Sequence, residues 1–208
     1  MTLFLAIMVL LALGYGTLVL LFPSALTPNF FVLRLCLGWA IGLGISGVLL
    51  ITSLLLWPER LVYYPLAETL VAVSLWGVIY LRRKHLVGKI FPSQSPPSLA
   101  RDKKSLFSLL VQISFWLALL GASLSFLFLF WESPHGKWDA WTIWNLHARF
   151  IFRGGANWYS YITPELLWSH PDYPLLLPLA VARVWLYVGT ETQVAPALIA
   201  GIFGLATT

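Results

Sequence analysis

Charged residues are scarce in this sequence. Asp, Glu, Lys and Arg make up 10% of its 208 residues, and 59% are hydrophobic, whereas roughly 25% of residues are charged in soluble domains. This balance excludes an ordinary soluble domain and predicts a polytopic membrane protein. The net charge of +5 is not arranged as a basic face with interleaved polar side chains, so we expect no nucleic-acid partner.

Cysteine is nearly absent as well. The single Cys36 lies in an apolar run, which excludes a disulfide bond within the chain and a cysteine cluster. Asp and His residues beyond position 131 could supply metal ligands, but their spacing matches no metal-binding signature. We therefore predict no cofactor, and nothing in the pattern indicates a divalent metal ion.

Long apolar runs dominate the sequence instead. A helix needs about 20 residues to cross a hydrocarbon core of about 30 Å. Six stretches reach or approach this length, the last two being the shortest: residues 2–22, 31–57, 64–81, 106–130, 174–190 and 194–208. The first has no basic segment before it and is too long for the core of a signal peptide. These runs predict an all-α bundle of about six transmembrane helices.

The basic residues are concentrated between Arg82 and Lys104. This segment contains seven of the thirteen basic residues and a single acidic one. This bias predicts that residues 82–105 form a cytoplasmic linker, with a flexible proline- and serine-rich centre at 92–98. The linker would separate a three-helix segment, 1–81, from a second module, 106–208. Counting helices outward then puts the loop 131–173 on the extracytoplasmic side of a plasma (inner) membrane.

Three charged residues interrupt the apolar stretches. Arg34 is expected near a cytoplasmic helix end, from which its side chain can reach the membrane surface. Glu68 is expected near an outer helix end, where partial solvation or a pair with another helix would accommodate it. Arg183 lies near the middle of the fifth stretch and must face protein, water or an anion. A functional role and a structural pair are both open for it.

The loop 131–173 contains a segment with helical spacing. Its polar residues fall 3, 3, 4 and 4 positions apart, which predicts one polar stripe on an amphipathic interfacial helix made by Asp139, Thr142, Asn145, Arg149 and Arg153. Three tryptophans, Trp138, Trp141 and Trp144, are expected to anchor this helix at the membrane interface. Glycines 154 and 155 would end it.

Asp139 has two compatible roles. At the start of the helix it could cap the first turn, which the helix dipole favours. It could also act as a general base at the membrane surface. Arg149 and Arg153 could bind lipid head groups or the phosphate of a lipid-linked substrate. Asp139 and Arg153 would be roughly 21 Å apart on a regular helix, so we predict chemistry for Asp139 and a lipid anchor for Arg153.

The segment His170-Pro171-Asp172-Tyr173-Pro174 precedes the fifth apolar stretch. Its prolines favour an extended entry into the membrane. If the fourth and fifth predicted helices pack side by side, His170 and Asp172 form a second polar wall facing Asp139.

Together these residues resemble integral-membrane glycosyltransferases of the GT-C superfamily, especially its protein O-mannosyltransferase-like and aminoarabinose-transferase-like branch. The features that carry the likeness are Trp138-Asp139-Ala140-Trp141 early in an outer loop, the amphipathic helix, and His170-Pro171 before the next helix. The resemblance covers about residues 106–208. It implies inverting transfer of a sugar from a polyprenyl-phosphate donor to an acceptor of unknown identity. Because the chain ends inside an apolar run, we expect an N-terminal fragment or a short member.

By this resemblance, Asp139 would be the catalytic base, with His170 and Asp172 lining the catalytic site. The predicted substrate-binding residues are Trp138, Trp141, Asn145, Arg149, Tyr173 and Arg183. The expected partners are a lipid-linked sugar donor and the bilayer itself. Two alternatives from other classes are a transporter or flippase-like module, which charges inside the membrane would favour, and a non-catalytic scaffold.

Overall fold

The computed structural model describes residues 2–22, 31–90 and 106–206, and within these ranges it contains helices and turns but no strand. The predicted all-α class is confirmed. Seven helices follow one another: α1 Leu3–Leu21, α2 Phe31–Leu56, α3 Tyr64–Ile90, α4 Leu106–Glu132, α5 Asn145–Arg153, α6 Leu176–Val188 and α7 Val194–Ala206. Three short 3₁₀ turns connect them at Pro58–Tyr63, Gly155–Asn157 and Pro164–Ser169.

Among the described residues, four helical segments are long and apolar enough to cross a membrane: Leu3–Leu21, Phe31–Leu56, Pro58–Arg82 and Leu106–Glu132. These segments indicate a membrane protein. Helices α6 and α7 are shorter, with 13 described residues each and a rise of about 20 Å. The number of about six transmembrane helices stays a prediction.

Helix α3 extends through Ile90, beyond its expected end at residue 81. The segment expected to begin as a linker at residue 82 thus begins as helix. The proline- and serine-rich centre at 92–98 and the basic residues of 101–104 lie outside the described residues.

Helices α1 and α2 make the closest backbone contact of the bundle. Gly14 on α1 faces Gly38 and Gly42 on α2 so closely that a Cβ atom added to Gly14 would overlap the carbonyl oxygen of Gly38. Small residues allow such an approach between membrane helices, where van der Waals contact supplies much of the attraction. Leu10 and Leu43 are buried beside this contact.

Helix α6 lies at the centre of the structure. It packs against α1, α2, α3 and α5, and nearly all of its residues from Pro178 to Tyr187 are buried. Helix α5 packs along it, with Ala148 and Ile151 fully buried. The apolar face of α5 therefore contacts protein.

Helix α4 stands apart, since none of its residues is buried. Its C-terminal end lies near α7, where Phe126 approaches Gly201. The condition that the fourth and fifth predicted helices pack side by side is not met, because α4 does not pack along α6.

Replacing Gly14 by Ala should destabilise the bundle by about 1–3 kcal/mol, because the backbones of α1 and α2 must separate. Gly44 on α2 is the matched control, since an added Cβ there meets nothing within 4 Å. Gly44→Ala should be neutral or stabilising through its higher helix propensity. Thermal unfolding in detergent measures both variants. Equal midpoints for the two would contradict the close packing.

Candidate functional site

The helix that carries Asp139 is not regular. It begins at Trp138, passes through a π-helical turn at Ala140–Trp144 and continues as α5. A π turn has more residues per turn than an α-helix, so residues before and after it do not keep α-helical register. The predicted stripe is therefore broken. Asp139 is exposed, whereas Thr142 and Asn145 are buried against the protein.

Asp139 lies in the first turn of this helix with regular helical φ and ψ, and its side chain makes no capping hydrogen bond. Its carboxylate is accessible, as a general base requires. The tryptophans around it, Trp138 and Trp141, are both exposed and pack edge to face at 6.4 Å between ring centroids. Their exposure fits contact with lipid head groups or with a substrate.

A cavity of about 250 Å³ opens near the start of the helix that carries Asp139, between the C-terminal end of α4, the turn after it and the start of α7. Its wall is largely apolar and includes Phe126, Leu129, Phe130, Pro196, Ala197 and Ala200. The polar side chains that line it are those of Ser133, His135, Lys137 and Asn145. Lys137 and Ala140 both line the cavity, and Asp139 lies between them in the chain.

Asn145 is the buried polar residue of this cavity, with 2% of its surface exposed. Its side-chain amide donates a hydrogen bond to the His135 carbonyl at 3.1 Å. Among the described residues, its Oδ1 has no hydrogen-bond partner. A buried acceptor left without a donor is costly, so this atom is suited to accept a hydrogen bond from a bound ligand. Asn145 was a predicted substrate-binding residue, and it lines the cavity.

His135 closes one side of the cavity. Its Nε2 lies 2.9 Å from the Gln193 side-chain nitrogen, just before α7. This contact joins the turn after α4 to the start of α7. Neither residue was among the predicted site residues, and no spacing in the sequence relates them.

His170 and Asp172 are both exposed. His170 has a left-handed backbone, with φ of 52°, and stacks on Tyr173 at 4.7 Å. Tyr173 in turn contacts Trp144 at 5.5 Å. A polar wall of His170 and Asp172 facing Asp139 stays a prediction, without the side-by-side packing of α4 and α6 on which it was based.

Arg149 and Arg153 are held by a carboxylate. Both form ion pairs with Glu191, in the connection between α6 and α7. The Arg153 Nη2 donates to Glu191 Oε2 at 2.7 Å, and this contact raises the pKa of Arg153. The predictions of phosphate binding and lipid anchoring did not include Glu191, whose negative charge offsets one of the two positive charges.

Arg183 and Glu68 form a buried ion pair between α6 and α3. The Arg183 Nε donates to both carboxylate oxygens of Glu68, at 2.9 and 3.0 Å. Glu68 also accepts from Tyr187 at 2.7 Å and from Ser46 of α2. The guanidinium lies 4.7 Å from the centre of the Tyr187 ring. Of the two accounts left open for Glu68, the pair with another helix is the correct one.

This arrangement argues against the predicted substrate-binding role of Arg183. The cavity that its side chain lines is about 10 Å³, too small for a sugar or a phosphate. The two charges that favoured the transporter alternative are paired with each other. Arg34, expected to reach the membrane surface, is likewise enclosed, with 9% of its surface exposed.

His147 is fully buried between α5 and the turn Pro164–Ser169. Ser169 Oγ donates to the Leu166 carbonyl at 2.8 Å, so it accepts from His147 Nε2 at 3.2 Å. The imidazole also stacks on Tyr161 at 4.3 Å. Burial lowers the pKa of His147 and raises that of Tyr161. The buried face of α5 could be found from the spacing of Ile143, His147 and Ile151.

The comparisons with known proteins find no match: no protein-family model, no curated protein and no solved structure is similar to this chain. Nor do the described residues bring together three or more His, Cys, Asp or Glu side chains that could hold a metal ion. Any inference about function therefore depends on the geometry of the described residues.

Replacing Glu68 by Ala should destabilise the protein by about 3–5 kcal/mol, because Arg183 would be left buried and unpaired. Replacing both residues, Glu68→Leu with Arg183→Met, should recover part of this loss, since no buried charge remains. The exposed Glu132→Ala change is the control and should have little effect. The measurement is thermal unfolding, in detergent, of the unchanged protein and these three variants. If Glu68→Ala unfolds like the control, the ion pair contributes nothing.

The stability of the outer loop should depend on pH through His147. Its pKa is lowered in the folded protein and is about 6.5 when unfolded. Between these two values the unfolded state binds more protons, so stability is complete above pH of about 6.5 and falls as the pH drops below it. His147→Phe should flatten this dependence in thermal unfolding, whereas the exposed His170→Gln should retain it. An unchanged slope in His147→Phe would assign the dependence to another group.

Proposed function

We propose that this chain is a membrane glycosyltransferase that moves a sugar from a polyprenyl-phosphate donor to an acceptor on the extracytoplasmic side of a plasma (inner) membrane. The observation that carries the proposal is the largely apolar cavity lined by Lys137 and Ala140, the residues that flank the exposed Asp139 in the chain. The cavity matches an amphiphilic ligand, with Phe126, Leu129 and Pro196 lining the space for an apolar chain. At about 250 Å³ it would hold part of such a molecule, since sites for whole drug-sized ligands span about 300–1,000 Å³.

The polar groups of the cavity suit the other end of this donor. Lys137 is a cation at the lining and would attract the donor phosphate. Asn145 Oδ1 is a buried acceptor and would receive a hydrogen bond from a sugar hydroxyl. Arg149 and Arg153 are less suited to the phosphate because Glu191 already engages them.

In the proposed reaction, the acceptor hydroxyl loses its proton to the Asp139 carboxylate as its oxygen attacks the anomeric carbon. A new carbon–oxygen bond forms while the bond from that carbon to the phosphate oxygen breaks. Polyprenyl phosphate leaves with the electron pair, which cationic groups such as Lys137 stabilise. Attack from the face opposite the leaving phosphate inverts the anomeric centre. Asp139 thus receives one proton, which solvent removes later.

The relative position of two connections supports the proposed topology. The Ala156 backbone amide donates to Glu59 Oε1 at 3.0 Å, so the turn between α2 and α3 meets the loop after α5. Two segments in contact must lie on the same side of the membrane, so an even number of membrane crossings must separate them. The proposed topology satisfies this condition, because it puts both segments on the extracytoplasmic side.

Asp139→Asn should reduce sugar transfer about 100- to 10,000-fold, since it removes the general base while preserving side-chain size. Asp172→Asn is the matched control, an equally exposed acid that the structure does not place by the cavity. Transfer is measured in membranes with a radiolabelled polyprenyl-phosphate sugar and extracted acceptors. Full activity of Asp139→Asn would remove Asp139 as the base. Loss in Asp172→Asn alone would move the catalytic role to the segment containing His170.

A further inference from the structure

Two buried donors in the interior of the bundle lack an acceptor. They are Arg183 Nη2 and the indole Nε1 of Trp39, and within the described ranges neither atom has a hydrogen-bond partner. Arg183 is 2% exposed and Trp39 is 5% exposed. Both groups can only donate. A buried donor without an acceptor costs its full desolvation free energy. An acceptor within reach of both donors would remove this cost.

The same two residues line one small cavity, which α1, α2, α6 and α7 enclose. Its volume is about 10 Å³, and about 10–15 Å³ is the space that one water molecule needs. The rest of its lining is apolar and includes Ala6, Leu10 and Ile199. A cavity with no polar group would stay dry, but this one has two donors.

We propose that a single water molecule is bound in this cavity, accepting hydrogen bonds from Arg183 and Trp39. Its own hydrogens would be donated to helix carbonyl oxygens, which carry a second lone pair beside their intrahelical bond. A halide ion fits less well. It is larger than a water molecule, and it would add a negative charge beside a guanidinium whose positive charge Glu68 already balances. The water therefore completes the coordination of the buried guanidinium and links it to α2 through Trp39.

The proposed water site is independent of the proposed sugar transfer, because its cavity shares no lining residue with the cavity near Asp139. Trp39 would position Arg183 through the water. Its indole would hold the water, and the water would hold the guanidinium that pairs with Glu68.

Nuclear magnetic resonance of the full chain in lipid nanodiscs, with ¹⁵N-labelled tryptophan indoles, tests this directly. Trp39→Phe identifies the Trp39 signal. Its indole proton should show a direct nuclear Overhauser contact to a long-lived water. Trp185 is the matched control, because its indole is also buried but donates to the Thr192 carbonyl at 2.9 Å; it should show no such contact. Absence of the contact at Trp39 would overturn the proposal.

Two further measurements separate a water from the alternatives. Replacing chloride by rising concentrations of bromide should leave the Trp39 indole shift unchanged; a saturable shift would mean that an anion occupies the site. Ala6→Val narrows the cavity, so it should abolish the water contact and lower the midpoint of thermal unfolding by a few degrees, which about 1 kcal/mol produces at this size. A raised midpoint in Ala6→Val would indicate a dry cavity that the new methyl groups fill.

Discussion

The structure depends most on one buried ion pair. Arg183 and Glu68 lie where neither charge reaches water, and leaving either one unpaired there would cost several kcal/mol. This requirement holds α6 against α3 in one orientation. Tyr187, one turn after Arg183, adds a hydrogen bond to Glu68 and a ring beneath the guanidinium. Ser46 brings α2 into the same network.

The position of α6 determines that of the outer segments. Helix α5 packs along α6, with Phe152 against Trp185 at 5.9 Å, and the pairs to Glu191 hold its last turn. The buried His147 attaches α5 to the turn that ends at Ser169. Asp139 lies at the opposite end of this helical segment, before the π turn. This exposed acid is thus carried by an element whose other end is firmly packed.

The sequence was sufficient for the class of fold and for the approximate positions of the helices, because apolar length and the placing of glycine and proline are local properties. It did not predict the end of α3, which extends to Ile90. It also isolated Glu68 and Arg183 as charges needing an explanation. Their pairing could be suspected from their opposite signs, and Tyr187 lies four residues after Arg183 on the same helical face. The contacts of Glu191 and His135 could not be foreseen, since they depend on how distant segments meet.

One error has a specific physical cause. The polar stripe assumed a constant 3.6 residues per turn, and the π turn at Ala140–Trp144 breaks that periodicity. The wall of His170 and Asp172 was conditional on two helices consecutive in the chain packing together. Membrane helices have a weaker drive to do so, because lipid chains are as apolar as their side chains, and no residue of α4 is buried.

The π turn has an additional meaning for how such a protein could diverge. It corresponds to one residue added to an α-helix without interrupting it. An insertion or deletion at Ala140–Trp144 would rotate Asp139 and the tryptophans about the helix axis while α5 stays seated on α6. The direction in which the acid points can therefore vary among descendants of one sequence without a new hydrophobic core. Indels confined to this turn, rather than substitutions in the core, are the changes by which evolution would redirect the site.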